Sequence, residues 1–258
     1  MFKLLAGLLA CVLISIFPSD AFAIKGLPGD TWGLTTQYLG NKSFSGISAF
    51  VSQGVDWFDL PLGITFNTFV EYRYKYRTKE KIYFDASGTA VGIDFKKSAF
   101  HLRTDYYWEK MPGLNTFTQN RQTYLTWYYD WYTYMKQRSE KNRIKVQAIT
   151  GYTWGKINHD YDGRTGTSIS GFVNEGIDWF DLPGKITFNT FVEYRFNGRT
   201  MDKYYYDSNG PAIGLEFKKD IFKFGMDYFW EHYREQNVTD RTWRLYLTWY
   251  YYWDLMHK

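Results

Sequence analysis

The chain has 258 residues, with 31 Lys or Arg against 27 Asp or Glu. The net charge of +4 is spread without a basic block, which gives no support to nucleic-acid binding. Mean hydropathy is negative although 22% of the residues are aromatic, and beyond the first two dozen residues no apolar run reaches the roughly 18 residues of a helical membrane span. Helical membrane spans are therefore excluded.

The amino terminus reads as a signal peptide over residues 1–23. Lys3 supplies a positive start, Leu4 to Phe17 an apolar stretch, and Ala21-Phe22-Ala23 a small-x-small cleavage site. Leu8-Leu9-Ala10-Cys11 has a superficial likeness to a lipid-attachment box, but the apolar run continues past it to Phe17. Cleavage removes the sole cysteine, Cys11, so residues 24–258 must be held by burial or by lipid rather than by disulfides. Lys3 and Asp20 leave together, and the net charge is unchanged.

In chain order, segments near residues 32–40 and 47–55 have strand character, and the first is the least regular. From Ile64 to Arg77 the period becomes two. Ile64, Phe66, Thr68, Val70, Tyr72, Tyr74 and Tyr76 occupy one parity; Thr65, Asn67, Phe69, Glu71, Arg73, Lys75 and Arg77 occupy the other. A fourth segment spans residues 90–96. In the fifth, Phe100, Leu102, Thr104, Tyr106 and Trp108 oppose His101, Arg103, Asp105, Tyr107 and Glu109, and the sixth carries Leu125, Trp127, Tyr129 and Trp131 on one parity. Such alternation marks strands with one apolar face. Runs of ten or more exceed the usual five or six residues of strands in globular proteins.

The pattern is then written again. Residues 31–131 recur at 153–253 with a constant offset of 122, and Ile64 to Arg73 returns unchanged as Ile186 to Arg195. A repeat of this length is a multi-strand unit. Two tandem six-stranded repeats imply an all-β fold of about twelve strands: a transmembrane antiparallel β-barrel, closed because lipid offers the backbone no hydrogen bonds. Connections at residues 59–63 and 96–99 are tight and suit the periplasmic side, as does the joining segment at 133–141. Those at 78–89 and 110–122, with their copies, are longer and suit the outside. The competing architecture is a pair of soluble six-stranded secreted domains. A soluble core prefers compact Leu, Ile and Val, whereas this apolar face is heavy in Tyr and Trp at the strand ends, where aromatic rings sit between hydrocarbon and water.

Over essentially the whole of residues 24–258 this pattern resembles the Gram-negative outer-membrane porin-like barrels. The resemblance implies the bacterial outer membrane as location and outer-membrane lipid as partner. One departure is that such chains commonly end on an aromatic residue, whereas Trp253 is followed by Asp254-Leu255-Met256-His257-Lys258.

If the apolar parity faces lipid, the charged parity lines the lumen. The candidate pore-lining residues are Glu71, Arg73, Lys75, Asp94, Arg103, Asp105 and Glu109, with Glu193, Arg195, Glu216, Asp227 and Glu231 from the second copy, and Lys96 and Lys218 beside them. Mixed signs allow two arrangements: salt bridges that pack the lumen, or a narrow passage whose opposed charges orient polar solutes. The repeated Glu71–Arg73 and Glu193–Arg195 pairs are expected to face each other's half of one lumen and to set its ion preference. The inner aromatics Phe69, Phe191, Tyr107, Phe229, Tyr124, Tyr128, Tyr246 and Tyr250 can fill space or form a solute slide.

Catalytic signals are poor, and the pattern calls for no cofactor or metal. His101 is replaced by Lys223 in the other copy and no serine is matched to it. His159-Asp160-Tyr161-Asp162 reads as a polar loop. The expected function is passive diffusion of small polar solutes, with a plugged structural or surface-interaction barrel as the rival and a non-enzymatic role in either case.

Overall fold

Twelve strands with apolar and polar residues in alternation curl into one closed antiparallel sheet. The computed structural model describes residues 24–39, 44–79, 85–134, 146–161, 166–201 and 207–256. The first half supplies β1 (Pro28–Leu39), β2 (Phe44–Leu60), β3 (Ile64–Arg77), β4 (Ala86–Lys97), β5 (Phe100–Met111) and β6 (Thr116–Tyr134). The second supplies β7 (Ala148–Asp160), β8 (Thr167–Leu182), β9 (Ile186–Arg199), β10 (Ser208–Lys219), β11 (Phe222–Tyr233) and β12 (Val238–Asp254). These strands are 12 to 19 residues long, longer than the roughly 9–11 residues a tilted strand needs to cross hydrocarbon.

Every strand pairs with its neighbours in sequence, β1 also pairs with β12, and two of these pairings decide the architecture. β6 pairs with β7 and β1 pairs with β12, so neither half closes on itself. Both seams carry the same interlock on the outer surface. Trp127 of β6 covers Gly155 of β7, and Trp249 of β12 covers Gly33 of β1. A Cβ placed on either glycine would lie 1.9 Å from the indole ring, so no other residue fits there without movement. The ring shields the bare backbone and takes over the packing that a side chain would supply.

The in/out division follows the parity of the sequence. Val70, Tyr72, Leu102 and Phe224 are exposed, whereas Asn67, Phe69, Glu71, Asp94 and Asp105 are buried. A soluble barrel has the opposite arrangement. An apolar belt outside and buried charges inside belong to a barrel whose solvent is lipid.

Two elements differ from the sequence-based expectation. Residues 110–122 do not form a long loop: β5 continues to Met111, a single 3₁₀ turn spans Pro112–Leu114, and β6 begins at Thr116. Asn115 takes a left-handed conformation (φ 50°) that reverses the chain at once, and Asn237 does the same between β11 and β12. Polar residues such as Asn120 and Gln122 look loop-like in sequence, yet they are buried residues of β6 that point into the barrel. Likewise β2 and β8 continue through Asp56-Trp57-Phe58 and Asp178-Trp179-Phe180 by way of a bulge in each. There Trp57 Nε1 donates to Thr68 Oγ1 at 2.9 Å, and Trp179 Nε1 to Thr190 Oγ1 at 2.8 Å. The expected signal peptide and residues 135–141 of the joining segment lie outside the described residues; 133 and 134 belong to β6.

Candidate functional site: the lumen wall

The inward parity of β3, β4, β5 and β6 builds one network of charges. Arg73 of β3 pairs with Glu71 two residues before it on the same face, and its Nη2 donates to Asp105 Oδ2 of β5 at 2.6 Å. Tyr124 OH and Gln122 Nε2 of β6 also donate to Asp105 Oδ2, at 3.1 and 3.2 Å. Beside them Arg103 Nε donates to Asp94 Oδ2 at 2.9 Å, and His101 Nδ1 lies 2.9 Å from the same oxygen. Arg103 Nη1 comes within 3.6 Å of Glu71, which links the two groups. Nearer the tight-turn end, Lys96 Nζ and Asn67 Nδ2 donate to Asp56 Oδ1 at 2.8 and 2.7 Å.

The second half rebuilds this network with one exchange. Arg195 pairs with Glu193 and donates to Asp227 at 2.5 Å; Lys218 and Asn189 donate to Asp178 at 2.8 and 2.7 Å. Position 225, which corresponds to Arg103, is glycine, and position 244, which corresponds to Gln122, is arginine. Arg244 Nε donates to Asp227 Oδ1 at 3.2 Å, so the guanidinium has moved to the adjacent strand of the same hairpin. The emptied place is filled by Tyr246, whose ring would lie 2.5 Å from a Cβ on Gly225 and whose hydroxyl donates to Glu216 at 3.1 Å.

Nine of the twelve residues expected to line a pore thus enter two networks, one in each half. The Glu71–Arg73 and Glu193–Arg195 pairs do not look across at each other: each is bonded within its own half, to Asp105 or Asp227. Strand neighbours offer a carboxylate at hydrogen-bond distance, and the far wall does not. Lys75, Glu109 and Glu231 lie close to the opposite end. There Lys75 is exposed, and Glu231 accepts from Ser208 Oγ and Tyr233 OH at 2.7 and 2.8 Å.

Sequence reasoning missed Arg244, Lys156 and the carboxylates Asp30, Asp56 and Asp178, and it left Lys223, the counterpart of His101, out of the pore-lining set. Arg244 was legible from parity, since it alternates with Leu245 and Leu247. Asp56 and Asp178 were hidden by the bulge. Lys156 Nζ sits 3.9 Å from the Tyr124 ring centroid, and Lys223 Nζ 4.2 Å from that of Tyr152. Guanidinium groups also cover rings, Arg103 over Phe69 and Arg195 over Phe229, where the ring quadrupole attracts the cation.

The chain is a bacterial outer-membrane β-barrel of porin-like architecture. That class rests on the closed sheet, the strand lengths and the outward apolar face. No protein-family model matches the chain, and no curated protein is significantly similar to it. Among solved structures it is similar to the NanC porin (9% identity, 85% of this chain and 98% of that one, TM-score 0.32). An outer membrane channel from Pseudomonas putida F1 gives 11% identity over 92% and 99% of the two chains, with TM-score 0.35. The transport unit of the autotransporter AIDA-I from Escherichia coli gives 10% over 89% and 90%, with TM-score 0.35. At such identities and scores these likenesses decide nothing about function.

Proposed function

We propose that the protein is a narrow outer-membrane channel for the passive diffusion of small polar solutes. The observation that carries this reading is the state of the inward side chains. Arg73, Lys96, His101 and Arg103 are enclosed by the sheet, yet their side chains remain 18–32% accessible. Their ends therefore border space that water can enter, and a charged, hydrated wall lowers the cost of bringing a polar solute into a low-dielectric barrel. The reading assigns no catalytic role to any residue.

A filled structural barrel is the second reading, favoured by the burial of Phe69, Phe191, Tyr124 and Tyr246 within the lumen. Reconstitution of residues 24–258 into planar bilayers separates the two. The channel reading expects discrete conductance steps in potassium chloride. A folded barrel that inserts without conducting supports the filled one.

A further inference from the structure

The two members of each lumenal ion pair do not share the lumen equally. Asp94, Asp105 and Asp227 have side chains that are 0% accessible, and Glu71, Glu193 and Glu216 reach at most 8%. Their partners Arg73, Arg103, Arg195 and Arg244 stand at 16–24%. The carboxylates lie against the wall and the longer basic side chains reach over them. Lys96 with Asp56 is the exception, both being 21% accessible. Each remaining pair is a dipole with its positive end toward the passage, so at these pairs a permeant ion meets the basic N–H groups before the carboxylates they cover. Two further cations have no acid in contact: among the described residues neither Lys156 nor Lys223 lies within 4 Å of a carboxylate, and each rests on a tyrosine ring. In the first half their positions are held by Leu34 and His101.

We propose that the lumen is an anion-selective site for small carboxylate or phosphate solutes, with Lys156 and Lys223, neither of which has a carboxylate in contact, as the cations that meet the solute. The inference rests on the channel reading above and names its solute class. Oriented dipoles and these ammonium groups in a narrow, poorly screened passage favour anions more than the same groups would in bulk water. Their N–H groups can also replace part of a carboxylate's hydration.

The experiment is the zero-current potential of the reconstituted protein across a potassium chloride gradient. The unsubstituted barrel should reverse on the chloride side. Lys156→Gln and Lys223→Gln should each move the potential toward zero, and the double variant further. Neither substitution orphans a carboxylate, so the fold should survive, as heat-modifiable migration will show. Reversal at zero or on the potassium side, or no response to either lysine, overturns the proposal. Should the barrel not conduct, the channel reading fails by itself, and quenching of the lumen-facing Trp32 and Trp154 decides the anion site. Iodide should quench the fluorescence lost in a Trp32→Phe/Trp154→Phe variant more than caesium does; equal or reversed quenching removes the site.

Discussion

The ammonium of Lys223 on β11 lies 4.2 Å above the ring of Tyr152 on β7, a contact between strands four places apart in the closed sheet. It crosses the lumen as a chord instead of following the wall. Tyr152 is itself braced edge-on by Phe172 at 5.3 Å. In the first half the corresponding residue is Asp30, too short to make this bridge.

Tyr152→Ala should therefore widen the passage on the second-half side. Single-channel conductance should rise while the barrel stays folded. An unchanged step would mean that the chord lies outside the conducting path.

The ion pairs carry a different expectation. Arg73→Leu leaves Glu71 and Asp105 without their shared partner, and breaking a buried pair costs about 3–5 kcal/mol. The temperature at which the folded gel form converts to the unfolded one should fall accordingly. Arg103→Leu, on parity alone a mild lumenal change, should also lower it, because Arg103 holds Asp94.

The exchange between the halves offers a rescue test. Arg103→Gly alone removes a cation from the first network. Adding Gln122→Arg copies the arrangement of Gly225 and Arg244, in which the arginine bonds the aspartate from the adjacent strand. Because the new arginine would bond Asp105 as Arg244 bonds Asp227, while Asp94 keeps only His101, the double variant should recover part of the melting temperature lost by the single one; no recovery would show that the two networks are not interchangeable.

On the lipid face, Leu102→Arg or Phe224→Arg should damage assembly, since a charge near the bilayer midplane costs about 2–4 kcal/mol. Lys75→Gln is the inward control and should fold normally. Refolding yield into vesicles measures both, and equal yields would contradict the in/out assignment.

At the seam, Gly155→Val drives a side chain into the Trp127 ring. Overpacking of this kind costs about 1–3 kcal/mol, and folded, heat-modifiable protein should decrease. Trp127→Ala in the same chain should restore part of it, because the obstruction is the ring.

Much of this architecture is legible along the chain because strand parity is local. Each residue's face is set by its neighbours one and two places away, so Val70 and Glu71, or Leu102 and Arg103, are assigned to lipid and lumen without knowledge of any partner strand. The recurrence of Ile64 to Arg73 at Ile186 to Arg195 doubles that reading. Closure and partnership are not local. Whether β6 turns back to β1 or continues to β7 depends on sheet curvature and on Trp127 meeting Gly155, 28 residues away in sequence. Arg73 finds Asp105 through the stagger of β3, β4 and β5, and Lys223 reaches Tyr152 through the width of the finished barrel. The sequence by itself determined which face of β3, β5, β6 and their copies is apolar, because a period of two needs only adjacent residues. The tertiary structure alone decided which charges compensate one another and which remain turned toward the passage, because those distances exist only once twelve strands have closed.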